Sequence, residues 1–262
     1  MWDLKNFRSK GVKMSELIQK EWDYTKHAQF YSYRPNYAGD AIDVLVAWSK
    51  GAKIVADIGA GTGNLGIMLA ARGLDVIEIE PNDAMREIGQ ERLKNAKWIR
   101  ANGVQTTLSD KSVDWVTFGS SFNVLDRELA LKEAYRILKD GGKLSAMWNH
   151  RDLNDPIQNV AQEIIKDFIP SYHGGVRRED QRPIFESSEL FGDIFYIEQD
   201  FIFTQSLENY ILAWRSVKND FWDLNTEAGK KLFESICEKW RSKLPETLNI
   251  RYTTRAWNVT KK

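Results

Sequence analysis

Residues 54–66 read Ile-Val-Ala-Asp-Ile-Gly-Ala-Gly-Thr-Gly-Asn-Leu-Gly, and no other stretch restricts the chain so tightly. A short β-rich run passes through Asp57. Three alternate glycines follow at Gly59, Gly61 and Gly63. An apolar helical pattern then begins at Leu65 and continues through Met68, Leu69 and Ala70. A strand that turns this abruptly into a helix needs glycine where the backbone is tight and where a ligand approaches the main chain. A dinucleotide fingerprint would place its third glycine at position 64, which is Asn64 here. The acid Asp57 lies just before the turn, where its charge would repel a phosphate. The expected ligand is therefore nucleotide-like with a cationic end, as in S-adenosylmethionine (SAM).

Downstream, strand and helix patterns alternate. Strands are predicted at 53–58, 75–80, 97–101, 112–118 and 143–148, and helices at 39–49, 64–72, 82–93 and 127–138. Gly141-Gly142 are read as the stop of the last helix. This rhythm predicts an α/β chain with a Rossmann-like, doubly wound, mainly parallel seven-stranded sheet. After Asn149 the rhythm breaks. Helices are expected at 156–168, 206–217 and 226–240, a polar loop at 171–182, and strands at 195–203 and 251–259. The reading is a helical cap inserted among the final strands of the sheet. A helix over 15–31 leads into Tyr31-Ser32-Tyr33-Arg34-Pro35-Asn36-Tyr37, where Pro35 ends any helix. The domains follow as an N-terminal helical lid (1–38), a nucleotide-binding core (39–150) and a substrate cap (151–262) that supplies the last strands.

The 262 residues carry 37 basic and 37 acidic side chains, so the chain lacks the basic footprint that bulk nucleic-acid binding needs. One cysteine, Cys237, cannot form an internal disulfide, and no apolar run approaches membrane-span length. A cytoplasmic protein without membrane or nucleic-acid partners is expected, its oligomeric state open. Met14 offers an alternative start. The ten tryptophans and twelve phenylalanines are read chiefly as packing.

About twenty residues beyond the glycines, Val76-Ile77-Glu78-Ile79-Glu80-Pro81-Asn82 ends the second strand. An acid at such a strand tip accepts both hydroxyls of a ribose. Glu80 stands at the tip, and Glu78 is two residues inside on the same face.

Five blocks within residues 31–150 now resemble the class I SAM-dependent methyltransferases, in the small-molecule group of the ubiquinone-biosynthesis and trans-aconitate enzymes. They are Tyr33-Arg34-Pro35-x-Tyr37, the glycine turn, Ile79-Glu80-Pro81-Asn82-x-x-Met85, Ser112-Val113-Asp114-Trp115-Val116, and Arg136-Ile137-Leu138-Lys139-x-Gly141-Gly142. The resemblance implies SAM as cofactor. It implies a cradle of Asp57, Gly59, Ala60, Gly61, Gly63, Asn64, Glu80, Pro81 and Met85. It adds an adenine-side loop at Asn102, Gly103 and Val104, where the family often carries an acid in place of Val104. It adds a methionine-side loop at Gly119, Ser120 and Phe122, where Asn123 and Val124 replace a common His-Trp. An N-terminal segment in such enzymes folds over the cofactor. Arg34 there would pair with the SAM carboxylate, and Tyr24, Tyr31 and Tyr33 would close the pocket.

The acceptor is expected at the cap. Trp148, Asn149 and Arg151 follow the fifth strand, and His173, Arg177, Arg178, Trp214 and Arg215 lie beyond. Several cationic groups suit an anionic, phosphoryl- or carboxylate-bearing metabolite. The expected reaction is O-methylation, in natural-product or surface-glycan tailoring, with His150 as base or hydrogen-bond donor. N-methylation, RNA methylation and SAM binding without catalysis stand as alternatives. No ligand spacing indicates a metal.

Overall fold

The structure, a computed structural model, describes residues 24–262 apart from 153, 174–178, 218 and 220. Arg177, Arg178 and the part of the expected lid before Tyr24 lie outside the described residues. Strands β1 (Ile54–Ile58), β2 (Asp75–Ile79), β3 (Lys97–Ile99), β4 (Val113–Gly119) and β5 (Leu138–Arg151) run parallel to one another. Strand β7 (Thr247–Lys261) inserts antiparallel between β5 and β6 (Phe191–Ser206). The order is β3-β2-β1-β4-β5-β7-β6. The direction of winding reverses between β1 and β4, which opens a crevice at the strand tips.

Helices α1 (Gly39–Trp48), α2 (Asn64–Ala70), α3 (Asp83–Arg92) and α4 (Arg127–Ile137) flank the parallel strands. Their starts are written locally. The carboxamide of Asn82 accepts from Met85 N, and the Asp126 carboxylate accepts from Leu129 N. Each such cap is worth about 1 kcal/mol. Between β5 and β6 come α5 (Pro156–Phe168), capped by Asp155, and the short α6 (Arg182–Ser187). Between β6 and β7 come α7 (Leu207–Arg215) and α8 (Glu227–Lys243), capped by Ser206 and Thr226.

Period-two alternation sends the strand side chains into two layers. On one face Ala56, Ile58, Val116, Phe118, Leu144 and Trp257 pack with Leu131, Ala134 and Ile137 of α4. On the other, Val55, Trp115, Met147 and Ala256 pack with Ile42 and Leu45 of α1 and Leu65 and Leu69 of α2. The cap builds a third cluster from Ile165, Tyr210, Trp214, Phe233 and Trp240 over Leu248, Ile250 and Tyr252 of β7. Fully burying each large apolar side chain is worth about 1.5–3 kcal/mol. Trp115 and Trp240 are completely buried, consistent with aromatics used for packing.

Four local expectations change. Gly141 and Gly142 do not stop α4. That helix ends at Ile137 because Leu138 turns extended to pair with Val113, and the two glycines fall where the β4–β5 register slips. The polar stretch near 182 forms helix α6. Strands β6 and β7 extend well beyond 195–203 and 251–259, since each satisfies the other's backbone almost throughout. Where a helix is expected over 15–31, the described residues Thr25–Tyr33 form a 3-10 helix. No described helix is long and apolar enough to cross a membrane.

A polar row crosses the second face at a single register. Glu78, Asp57, Thr117, Ser145 and Asn258 are consecutive neighbours on β2, β1, β4, β5 and β7. All five are buried.

Candidate functional site

The turn after β1 is stitched to the neighbouring strand by Gly59 N and Ala60 N, which both donate to Ile79 O. Gly59, Gly61 and Gly63 all take positive φ, at 69°, 57° and 78°. A Cβ at Gly59 would stand 2.5 Å from that of Ser121, so the turn is held against the tip of β4 with no room for a side chain. Glu80 sits beside it at the tip of β2. Its Oε2 accepts from Gly61 N and its Oε1 from Asn82 N, each at 2.8 Å. Burial raises its pKa, against which these two N–H groups and Arg86 act. A carboxylate offers about four lone-pair directions, so capacity remains for two hydroxyl donors. Asn64 closes the start of α2, where Arg92 donates to its Oδ1 and to the carbonyl of Thr62. Met85 is buried at the first turn of α3, and Pro81 lies half-exposed between it and Glu80.

The structure reassigns Asp57. Its carboxyl lies beneath the turn with 1 % exposure and accepts from Thr117 Oγ1 at 2.7 Å. Burial pushes its pKa up to about 7. It therefore supports the turn from below rather than presenting a full charge to a ligand. Its register partner Glu78 is equally buried, with its pKa raised by desolvation and by Asp57. Gly66 of α2 packs directly on the Glu78 carboxyl.

In the loop after β3, Asn102 Oδ1 accepts from Val104 N, and Gly103 closes against Leu125 and Ile58. Val104 packs partly buried on the core. On the other side of the crevice, Ser120 takes φ 62°, an unusual conformation for a non-glycine residue at a strand tip. Gly119 lies beneath it, against Leu65 and the Tyr37 hydroxyl. Phe122 does not reach the crevice. A 3-10 turn at Phe122–Val124 rolls its ring under, where it stacks on Phe185 and packs with Phe118.

The 3-10 helix lies as a strap between α3 and α7. Thr25 Oγ1 accepts from Asn82 Nδ2, and His27 Nδ1 bonds Arg215 O at 2.8 Å. Tyr31, edge-on to Tyr24, stands next to Gly61. Tyr33 is half-buried in the last turn. Arg34 is committed elsewhere than expected. Its Nε donates to Ser216 Oγ and its Nη2 to Ser216 O, both at 2.7 Å, while Nη1 donates to Tyr31 Oη. It joins strap to cap, because the loop after α7 offers it two oxygens at once.

Several acceptor-site expectations also change. Trp148 is a core residue, edge-on to Trp257, with its Nε1 donating to Asn123. His150 is buried on the Trp148 face of β5, across the strand from Asn149 and Arg151. Asn149 donates to the carbonyls of Pro35 and Asn36 and accepts from Thr254 Oγ1, which ties it to the chain entering α1. Arg215 turns to Glu234 of α8 at 3.1 Å and lies over Phe233. His173 is exposed, edge-on to Phe221. Arg151 remains. Its guanidinium lies 3.9 Å over the Trp214 ring, with Tyr172, Tyr210 and Tyr252 around it. Trp214 Nε1, Trp222 Nε1 and Gln158 Nε2 in the same cluster are buried donors without hydrogen-bond partners among the described residues. Among the described residues no group of three His, Cys, Asp or Glu side chains could hold a metal.

Sequence reasoning passed over Tyr37, Thr25 and Ser216 as site residues. Tyr37 stood inside the tyrosine-rich motif. Nothing in the sequence marks Ser216, whose partner is 182 residues away.

Residues 56–146 match the family model described as a methyltransferase domain. Over 119 residues the chain is 36% identical to an uncharacterized methyltransferase of Mycobacterium tuberculosis, covering 45% of this chain and 48% of that protein. It is 31% identical over 116 residues to the ubiquinone/menaquinone biosynthesis C-methyltransferase of Citrobacter koseri, covering 40% and 46%. The chain thus spans about half the length of the curated relatives it matches. Its fold is similar to that of the Haemonchus contortus phosphoethanolamine N-methyltransferase 2, solved with phosphomonomethylethanolamine and S-adenosylhomocysteine. That likeness has a TM-score of 0.54 at 16% identity and covers 95% of this chain and 60% of the other.

Proposed function

We propose, from the premise that residues 56–146 form a class I SAM-dependent methyltransferase domain, that the whole chain methylates an acidic oxygen of a small anionic metabolite. Residues up to 38 serve as the lid, 39–150 bind the donor and 151–262 receive the acceptor. The glycine turn suits the donor, since Gly61 is part-exposed and carries no side chain beside Tyr31. Glu80 supplies the carboxylate for a ribose diol. SAM supplies a methyl group on a sulfonium, which departs as a neutral thioether. The protein then has to align two reactants and exclude water.

The acceptor reading rests on Arg151, whose guanidinium lies over the Trp214 ring at the end of β5. A guanidinium in this setting binds carboxylate or phosphoryl oxygens by charge-assisted hydrogen bonds. The buried N–H groups of Trp214, Trp222 and Gln158 add donors for the same ligand. An acceptor oxygen that is already anionic needs no base. That agrees with His150 facing the other side of the sheet.

The test is turnover on a panel of carboxylated, phosphorylated and amine metabolites, with Arg151→Met and Arg215→Met. Loss of a charged hydrogen bond is worth about 1.5–3 kcal/mol, so kcat/KM of Arg151→Met should fall roughly ten- to a hundredfold. Arg215→Met should stay within about twofold, since that side chain serves α8. Equal activity of Arg151→Met and the unchanged chain, or turnover confined to amines, refutes the acceptor assignment.

A further inference from the structure

The contact of Arg151 with Trp214 joins two elements far apart in the chain, the end of β5 and the last turn of α7. Arg34 joins the same two. The backbone that follows it is tied to β5, because Asn149 Nδ2 donates to Pro35 O at 3.2 Å and to Asn36 O at 2.9 Å. Asn149 stands two residues before Arg151 on the same face of that strand. Thr254 of β7 fixes Asn149 in turn, donating to its Oδ1 at 2.6 Å. The side chain of Arg34 reaches the other way, to the first residue after α7. Its Nε donates to Ser216 Oγ and its Nη2 to Ser216 O, each at 2.7 Å. Two donors on one edge of a planar guanidinium set direction as well as distance, which a flexible ammonium does not.

The attachment falls where α7 needs it. A helix ends with carbonyls that have no partner inside it, and its carboxyl end favours a nearby cation. Arg34 takes Ser216 O, and His27 of the strap bonds Arg215 O at 2.8 Å. Ser216 is fully buried, and its own Oγ donates back to Ala213 O. Trp214 belongs to the turn held in this way. Its ring also packs on Tyr210, Trp222 and Trp240, so the cap sets the plane of the indole. What the cap does not set is the distance of that turn from β5, and Arg34 spans it.

We infer that Arg34 is a positioning residue for the acceptor, stapling the end of β5 to the end of α7 and so setting the Arg151–Trp214 contact. This role rests on the proposed acceptor site at Arg151. It differs from the donor-carboxylate contact that the resemblance implies for Arg34, and the two roles move different kinetic constants.

The experiment is steady-state kinetics with SAM and whichever carboxylated or phosphorylated compound of the panel turns over best. Arg34→Met removes the staple. Ser216→Ala removes one of its acceptors and leaves Arg34 on Tyr31. Arg34→Met should raise KM for the acceptor about tenfold, the scale of a lost hydrogen bond to a charged group. Ser216→Ala should raise it about threefold, since the carbonyl at 216 remains, with KM for SAM within about twofold. A mere loss of folded protein would lower kcat and leave both KM values alone. In an Arg151→Met background, Arg34→Met should cost less than about twofold more in kcat/KM, because residues that act through one another are not additive. The inference is overturned by a change in kcat alone, by Ser216→Ala raising KM for SAM as much as for the acceptor, or by the full tenfold loss persisting beside Arg151→Met. If Arg151→Met is itself without effect, or no acid of the panel turns over, the acceptor reading fails and this inference falls with it. If Arg151→Met is impaired and Arg34→Met adds its full effect, the inference fails alone.

Discussion

Glu78→Gln should make the protein less sensitive to rising pH. Glu78 and Asp57 face each other on β2 and β1, are both buried, and both have raised pKa values. The native state therefore keeps protons that the unfolded chain has released. For a carboxyl with a raised native pKa, the stabilising contribution is complete below the unfolded value and is lost as pH climbs through the native one. Asp57 moves from 3.8 to about 7, a window of about three units. At 1.36 kcal/mol per unit its contribution lost across that window is on the order of 4 kcal/mol. Glu78 adds to the loss in the same direction. Glutamine at 78 has nearly the same shape, offers an N–H to Asp57 and has no proton to release. Urea unfolding at half-unit steps from pH 5 to 9 reads the difference. The unchanged chain should fall more steeply, by about 1.4 kcal/mol per pH unit for one retained proton, and Glu78→Gln should be the more stable protein at pH 8. Parallel curves, or a variant less stable at pH 8, would show that Glu78 is ionised in the native state and refute the reasoning.

Gly66→Ala should destabilise by about 1–3 kcal/mol or more, because its Cβ would overlap the buried Glu78 carboxyl. The loss should be read at pH 5 and pH 8 by chemical denaturation, and a neutral result would mean α2 can shift. Arg34→Met removes the two bonds to Ser216, worth about 1.5–3 kcal/mol together at a charged group. It should speed amide exchange over residues 25–33 by tenfold or more while leaving the thermal midpoint within a few degrees.

The geometry of the candidate donor half was readable because its determinants are local. Gly59, Gly61 and Gly63 report backbone geometry within five residues, and Glu80 follows at a spacing set by one helix and one strand. The alternation of apolar runs likewise placed α1 to α4 and β1 to β5 to within a few residues. What escaped is non-local. Arg34 looked free until Ser216 came to it, and Asn149 looked like a substrate contact until the loop before α1 claimed it. Arg215 found Glu234 on a helix that starts twelve residues later. Phe122 followed a strand tip as expected, yet a single 3-10 turn sent it inward. Gly141 and Gly142 resembled a helix stop. The pairing of Leu138 with Val113 overruled them, since a strand ladder claims backbone groups that a helix end would otherwise leave to a cap.

The place of β7 in the sheet bears on how the protein is made. It is the last of the seven strands in chain order, yet it lies inside the sheet with β5 on one side and β6 on the other. During synthesis the parallel half can form while β6 has no neighbour to join, and β5 waits with an open edge. Thr254 on that late strand also holds Ala38 and Asn149, which fix the chain entering α1. A chain stalled before β7 would expose apolar strand edges to aggregation. It would also leave the crevice beside the glycine turn unfinished, although the glycines and Glu80 had long since been translated. Completion of the fold and the onset of ligand binding should therefore coincide on the ribosome.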